Sequence, residues 1–278
     1  MMFNYILDKI NDAKFETDPF KFIYIENFLS PGHFDLITKN PQVDFPEFDT
    51  IEDMIDHLNL NEYAPVPFPG CTTNVNEYVH WYKTGRGSTP AHAKGLIEGF
   101  GIAYRIQQYK NDTIKSLMEF LNSPIFLNTL KSKFQCKGSM RVETAIQKYL
   151  TGYEISPHPD IRKKVLTYML NINPDDKAHE YGLSTHFMKF KPEYKHVQEF
   201  WENNPSADRC WVPWDWCETV FEQKANNSIT IFAPHDKSIH AVKLDYDMLK
   251  TQRTQVYGNL WYHKSNTTSN PSWQYFSK

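Results

Sequence analysis

The stretch ISPHPDIRKKVLTYMLNIN, residues 155 to 173, sets an imidazole and a carboxylate two residues apart, His158 and Asp160. Pro157 and Pro159 hold the backbone around them out of helix. In extended chain, residues two apart share a face, so both side chains can reach one metal ion. The same spacing occurs once more, at His33 and Asp35. There Ser30-Pro31 reads as a helix cap followed by the first helical residue. On a helix, residues two apart point about 200° away from each other. His33 and Asp35 are therefore expected on the surface. His158 and Asp160 are expected to be half of a metal site, with an ordinary polar turn as the plainer alternative.

A third ligand has to come from His179, His186, His196, His235, His240 or His263. His240 lies in SIHAVKL, where Ile239 and Val242 suggest a buried strand. A histidine in such a strand needs a partner, because an unpaired buried polar group is costly. His235, between Pro234 and Asp236, reads as an exposed turn residue, while His186 in GLSTHFM stays open. Two histidines and one carboxylate leave coordination positions free on a divalent ion. That arrangement is the one of non-heme Fe(II) oxygenases, although zinc also accepts such ligands.

The elements that must carry these residues change character along the chain. MMFNYILDKIN, LSPGHFDLITKN, TIEDMIDHLNL and IFLNTLKSKF have helical spacing, with Ser30, Thr50 and Ser123 as caps. FKFIYIENF reads as a strand, residues 63 to 90 mostly as loop, and Thr89-Pro90 as the start of a helix to Tyr109. From Gly138 onward, MRVETAIQKYL, KKVLTYMLNIN, GLSTHFMKF, NSITIFAP, SIHAVKL and RTQVYGNLWY follow one another as strands. Such a succession suggests an all-β barrel or sandwich. A single domain is expected, its helices covering one face of the β unit.

The 278 residues carry a formal net charge of -3, which exerts no general pull on nucleic acid. Cys71, Cys136, Cys210 and Cys217 form no CxxC pair, against a zinc ribbon or thioredoxin-like site, and are expected to be reduced. MMFNYILDKINDAKF lacks the basic and apolar regions of a signal peptide. No run of about twenty apolar residues offers a membrane span. The expectation is a cytoplasmic chain without a membrane or nucleic-acid partner.

Together these residues resemble the Fe(II)- and 2-oxoglutarate-dependent dioxygenases, in particular the prolyl-hydroxylase-like branch. That family carries HxD, a distal histidine followed by small or apolar residues, and a basic residue on the next strand. Here those are His158, Asp160, His240 and Arg253. YLTGYEISPHPD resembles the family's approach to HxD, and KKVLTYMLNIN the strand after it. SITIFAPHDKSIHAV is similar to the stretch leading into the distal histidine, and RTQVYGNLWY to the final strand. FIYIENFLSPGHF looks like the usual opening strand and helix. The detailed resemblance covers residues 140 to 262, and residues 40 to 135 match only in type.

The resemblance implies a mainly β fold with N-terminal helices: a double-stranded β-helix, or jelly-roll barrel, with helices packed on one sheet. Residues 1–137 would be a helical support region, and residues 138–264 the β-helix core with an insertion at 189–224. His158, Asp160 and His240 would hold Fe(II), and 2-oxoglutarate would chelate it, leaving a position for O2. Arg253 would pair with the distal carboxylate of 2-oxoglutarate through a bidentate fork. Lys243 lies too close to His240 to have turned onto the next strand, and Lys250 falls in the connecting loop. Tyr149, Thr167 and Asn171 are candidate cosubstrate contacts, with Gln147 on the face of Tyr149. For these, ordinary strand packing is the alternative.

The implied reaction is hydroxylation coupled to decarboxylation of 2-oxoglutarate to succinate and CO2. Asp160 stands where family halogenases carry a small residue, which favours hydroxylation. Asn259 stands where nucleic-acid demethylases carry a second arginine and prolyl hydroxylases often carry tryptophan. Neither substrate class is therefore implied. The insertion holds Trp201, Trp211, Trp214 and Trp216. These could form a private core, or a wall at the open end of the barrel that shapes the substrate pocket, with Arg209 as a cation for a carboxylate. A small molecule or amino acid is the favoured substrate, and a protein or peptide side chain the alternative. Rival readings are a cupin-like metal enzyme and a noncatalytic binding barrel, neither using 2-oxoglutarate. Arg253 separates them from the favoured one, since without the cosubstrate no cation is needed there.

Overall fold

The structure is a computed structural model that describes residues 2–67, 72–86, 100–205 and 211–263. Arg209, Cys71, Cys210 and the Thr89-Pro90 signal lie outside the described residues. Alternation in the β-rich half resolves into two antiparallel sheets. The larger has eight strands: β1 (Phe15–Glu16), β2 (Phe22–Ile25), β3 (Tyr63–Val66), β4 (Ala103–Ile106), β5 (Met140–Tyr149), β7 (Lys164–Asn171), β10 (Ile229–Phe232) and β12 (Arg253–Tyr262). Their order is β1-β2-β10-β7-β12-β5-β4-β3. The smaller has four strands: β6 (Glu154–His158), β8 (Thr185–Phe190), β9 (Cys217–Gln223) and β11 (His240–Lys243), in the order β6-β11-β8-β9. Among the described residues the sheets share no strand. The expected barrel is thus a pair of sheets without a hydrogen-bonded ring.

The period of two sorts each central strand into faces. On β7 and β12, Leu166, Tyr168, Leu170, Val256 and Leu260 join the main apolar core, which also contains residues of the N-terminal helices. Gly258 keeps this face close-packed, because a Cβ there would stand 2.0 Å from the Tyr168 ring. The other face of β12 presents Arg253, Gln255, Tyr257, Asn259 and Trp261 to a cavity. An apolar cluster of Phe20, Phe22, Met169, Phe187 and Phe232 joins strands of both sheets.

Among the described residues, six helices precede β5: α1 (Tyr5–Asp12), α2 (Pro31–Thr38), α3 (Ile51–Leu60), α4 (Val75–Lys83), α5 (Asp112–Leu121) and α6 (Pro124–Phe134). The expected caps hold: Ser30, Thr50 and Ser123 accept from the backbone N–H three residues on, and Pro31 and Pro124 open their helices. Two expectations need correction. The stretch read as loop contains β3 and α4, the latter capped by Asn74 and buried through Tyr78 and Trp81. The helical pattern read through to Tyr109 gives way to β4, because residues 103–106 find strand partners in both β3 and β5.

The insertion is also shorter than its expected bounds. β8 continues to Phe190, and β9 already occupies Cys217–Gln223 as its antiparallel partner. The excursion proper is 191–216 and carries α7 (Lys195–Glu202). Its Val197, Trp201 and Val212 pack on Met188, Phe190, Cys217, Ile239 and Ala241 of the smaller sheet and its flank. Among the described residues no helix is long and apolar enough to cross a membrane.

Candidate metal centre

β6 and β11 pair antiparallel with His158 opposite His240, so the register of two neighbouring strands brings the imidazoles together. Their ring centroids are 4.3 Å apart. Asp160 follows the end of β6 and turns its carboxylate toward both. Its Oδ1 is 4.0 Å from His158 Nε2 and its Oδ2 is 3.9 Å from His240 Nε2. One ligand atom from each of the three lies within 4.8 Å of the others, and all three residues are buried. Each imidazole is aimed by its own strand: Nδ1 of His158 meets the Ser156 carbonyl at 2.8 Å, and Nδ1 of His240 meets the Ser238 carbonyl at 2.9 Å. A carbonyl can only accept. Both rings therefore carry the proton on Nδ1 and present the Nε2 lone pair to the centre.

Burial pushes the His158 imidazole down to about 3, and His240 beside it acts in the same direction. Burial lowers His240 too. Both are therefore neutral at physiological pH, and their approaches to Asp160 are not ion pairs. For Asp160, burial alone would raise the carboxyl. Lys164, then the two histidines, outweigh burial and hold it below the usual carboxylate range. Lys164 Nζ donates to Asp160 Oδ1 at 2.5 Å and to Tyr257 Oη at 2.8 Å. Thr167 Oγ1 donates to Asp160 Oδ2. Two neutral imidazoles and one anchored carboxylate suit a divalent transition metal with positions left open.

The three residues line a cavity of about 380 Å³ that also contains Arg253. Arg253 is 1% exposed. Its Nε donates to the Leu183 carbonyl at 2.8 Å and its Nη2 to Thr185 Oγ1 at 3.0 Å, while the guanidinium stands 4.7 Å from the Tyr149 ring centroid. Two of its five donors are thereby used. Among the described residues no carboxylate reaches it. Burial pulls its basicity down, and the groups opposing that are the Tyr149, Tyr153 and Tyr246 phenols.

The other candidates fare differently. Tyr149 lines the cavity and donates to Gln147 Oε1 at 2.7 Å, so the two share a face as alternation requires. With the Gln147 amide turned over, its nitrogen donates to Tyr149 and its oxygen accepts from Arg105. Thr167 faces inward, but its hydroxyl is committed to Asp160 and to Asn259. Asn171 donates to the Ala225 carbonyl at 3.0 Å and accepts from Gln255 at 2.7 Å, partners that fit the strand-packing alternative. Lys243 is half-exposed beside Glu154, and Lys250 pairs with Glu47 at the surface. His186 bonds Thr219, and His235 sits in a turn with Ser238. Of the tryptophans, Trp201 is packing, Trp211 lines the cavity, and Trp214 Nε1 donates to the buried Glu154 of β6.

Sequence reasoning missed Lys164 altogether. It also missed the cavity floor beside the triad, where Arg105 pairs with Glu143 at 2.8 Å and Trp261 Nε1 donates to the same carboxylate at 2.9 Å. The signal available for the floor was the alternation of β12, whose odd-numbered residues all face inward.

No protein-family model matches the chain, and no curated protein matches it. Its structural neighbours are prolyl hydroxylases and proteins of the 2OG-Fe(II) oxygenase family. A prolyl-4-hydroxylase from Pseudomonas putida aligns over 95% of this chain and 100% of its own, with TM-score 0.47 and 7% identity. A Trichoplax adhaerens prolyl hydroxylase, in complex with a peptide fragment of the hypoxia inducible factor oxygen degradation domain, aligns over 93% of this chain and 88% of its own, with TM-score 0.41 and 11% identity. HygX from Streptomyces hygroscopicus, with nickel, 2-oxoglutarate and hygromycin B bound, aligns over 93% and 87%, with TM-score 0.40 and 8% identity. At such identities the reading of the site rests on its own geometry.

Proposed function

We propose that this chain is an Fe(II)- and 2-oxoglutarate-dependent oxygenase that hydroxylates a small molecule or amino acid. The two sheets are then the two faces of a double-stranded β-helix within one domain. The observation that carries the reading is Arg253. A guanidinium 1% exposed, with no acid in reach among the described residues, shares a cavity with two neutral histidines and an aspartate. A buried cation is costly unless an anion meets it. A cavity with a metal-binding cluster at one place and an uncompensated cation at another suits a ligand that chelates at one end and is anionic at the other. 2-Oxoglutarate has that form.

In this reading His158 Nε2, Asp160 and His240 Nε2 hold the Fe(II), which supplies O2 activation coupled to oxidation of the keto acid. The protein's own groups do the rest. Ser156 and Ser238 carbonyls keep both histidines in the metal-binding tautomer. Arg253, with Thr185 beside it, receives the distal carboxylate, and the Tyr149 ring keeps the guanidinium in place. Trp211 and Trp261 add apolar wall to the cavity that holds the metal site. The 380 Å³ of space favours a small prime substrate over a folded protein.

The test is succinate formation followed by mass spectrometry with Fe(II), 2-oxoglutarate and O2 present, each omitted in turn. Production that depends on all three supports the reading. Metal binding without any 2-oxoglutarate turnover contradicts it in favour of a cupin-like enzyme. No metal binding at all leaves a noncatalytic barrel.

A further inference from the structure

Resting on the metal-site reading, we propose that Lys164 is a positioning residue that acts through Asp160: its fixed ammonium loosens the grip on the metal and tightens the grip on the dianionic cosubstrate. Lys164 has a side chain 9% exposed and lies 2.5 Å from Asp160 Oδ1. Tyr257 Oη takes a second of its three donors at 2.8 Å. Lys164 itself lines the cavity with the triad. An ammonium in this place is unusual for a residue that only packs, because burying a charge is costly. Asp160 has a second anchor, Thr167 on Oδ2, so its orientation does not depend on the lysine alone.

The charges set the consequence. Ligating imidazoles bind through a neutral ring's lone pair and a ligating aspartate as an anion, so the three ligands and the Lys164 ammonium against Asp160 sum to zero without the metal. A divalent ion entering there is attracted by the carboxylate and repelled by an ammonium a few ångströms further off. Once the metal is in place, a dianionic keto acid meets one more positive charge than the ligands alone would provide. Among groups as buried as Asp160 and Lys164, such interactions are screened less than at the surface. One residue thus shifts two affinities in opposite directions. A lysine that merely held the carboxylate in place would help both.

Lys164→Gln tests this, because glutamine keeps a donor for Asp160 and Tyr257 but removes the charge. Lys164→Met is a second neutral variant, and Lys164→Arg keeps the charge. Mn(II) is titrated into each folded protein by calorimetry, and 2-oxoglutarate then into each Mn(II)-loaded protein, where no turnover confuses the heat. The expected result for both neutral variants is Mn(II) binding about tenfold tighter and 2-oxoglutarate binding about tenfold weaker, at the low end of what residues behind metal ligands contribute. Lys164→Arg stays near the wild type in both. Affinities that fall together, or that do not move, overturn the proposal. So does failure of both neutral variants to fold while Lys164→Arg folds, since that makes the lysine structural. Wild-type protein that binds no Mn(II) contradicts the metal site itself, a separate outcome.

Discussion

His33-Phe34-Asp35 and His158-Pro159-Asp160 carry the same two chemical groups at the same spacing, in backbones that differ. The first lies on α2, where Ser30 caps His33 N and Pro31 sets the first turn. There His33 turns back to Tyr5 Oη at 2.9 Å and packs on Phe3, while exposed Asp35 pairs with Lys39 one turn along. The second runs off the end of a strand, where both side chains face a cavity and His240 stands across the ladder. The difference teaches that a metal-ligand spacing has meaning only together with its backbone. It also shows that the deciding residues are neighbours without metal chemistry: Ser30 and Pro31 in one case, Pro157 and Pro159 in the other.

Replacing the metal-facing set gives the largest separation between the two motifs. His158→Ala, Asp160→Ala and His240→Ala should each lower Fe(II) or Mn(II) affinity by more than the ~10–100-fold that residues behind the ligands are worth. His33→Ala and Asp35→Ala should leave it unchanged. Calorimetric titration of the five variants checks this, and equal losses in both motifs would erase the contrast.

Arg253→Ala sharpens the comparison within the cavity. The loss of a charge-assisted bond to a carboxylate is worth about 1.5–3 kcal/mol, so KM for 2-oxoglutarate should rise about 10- to 100-fold. Metal affinity should hold, because Arg253 touches none of the three ligands. Arg253→Lys should recover part of the loss, since a point charge replaces a fork. Steady-state kinetics at saturating Fe(II) measures both.

The pH dependence of stability comes next. The His158 imidazole sits at about 3 in the folded chain, against about 6.5 when unfolded. Between those values the unfolded state binds the extra proton, so stability rises with pH across that window and is lost as pH falls through it. Above about 6.5 neither state is protonated there and this contribution is flat. Denaturant midpoints between pH 7 and pH 4 should fall less steeply in His158→Gln than in the wild type. Equal slopes would mean that this imidazole is not the buried neutral group described.

The smallest effect belongs to the other motif. His33→Ala removes one bond to Tyr5 and a ring packed on Phe3, a loss of about 1 kcal/mol seen in thermal unfolding but not in metal binding.

Much of this was legible because it is local. Prolines around His158 and Asp160 set an extended backbone, apolar neighbours placed His240 in a strand, and the family resemblance pointed to Arg253 on the strand after it. What escaped was set by partners distant in sequence. Lys164 looks like the solvated start of a strand in RKKVLTYMLN, but Asp160 and the Tyr257 and Trp261 side chains of β12 surround its ammonium. Thr167 and Asn171 share the inner face as alternation requires. Thr167 nonetheless serves Asp160, and Asn171 is held by Gln255 and Ala225, because the ladder rather than the period chooses what each residue meets. β9, with Glu218 and Glu222 in CETVFEQ, reads as part of an insertion until β8 pairs with it. The four tryptophans divided between packing and cavity, a division that their composition alone does not carry.

The most direct test is a crystal structure of the protein with Mn(II) and N-oxalylglycine, an unreactive analogue of 2-oxoglutarate. The account predicts one ion bound by His158 Nε2, Asp160 and His240 Nε2, chelated by the keto-acid end of the analogue, with the far carboxylate on Arg253 and Thr185. An ion held by other residues, or an analogue whose far carboxylate lies away from Arg253, would contradict it.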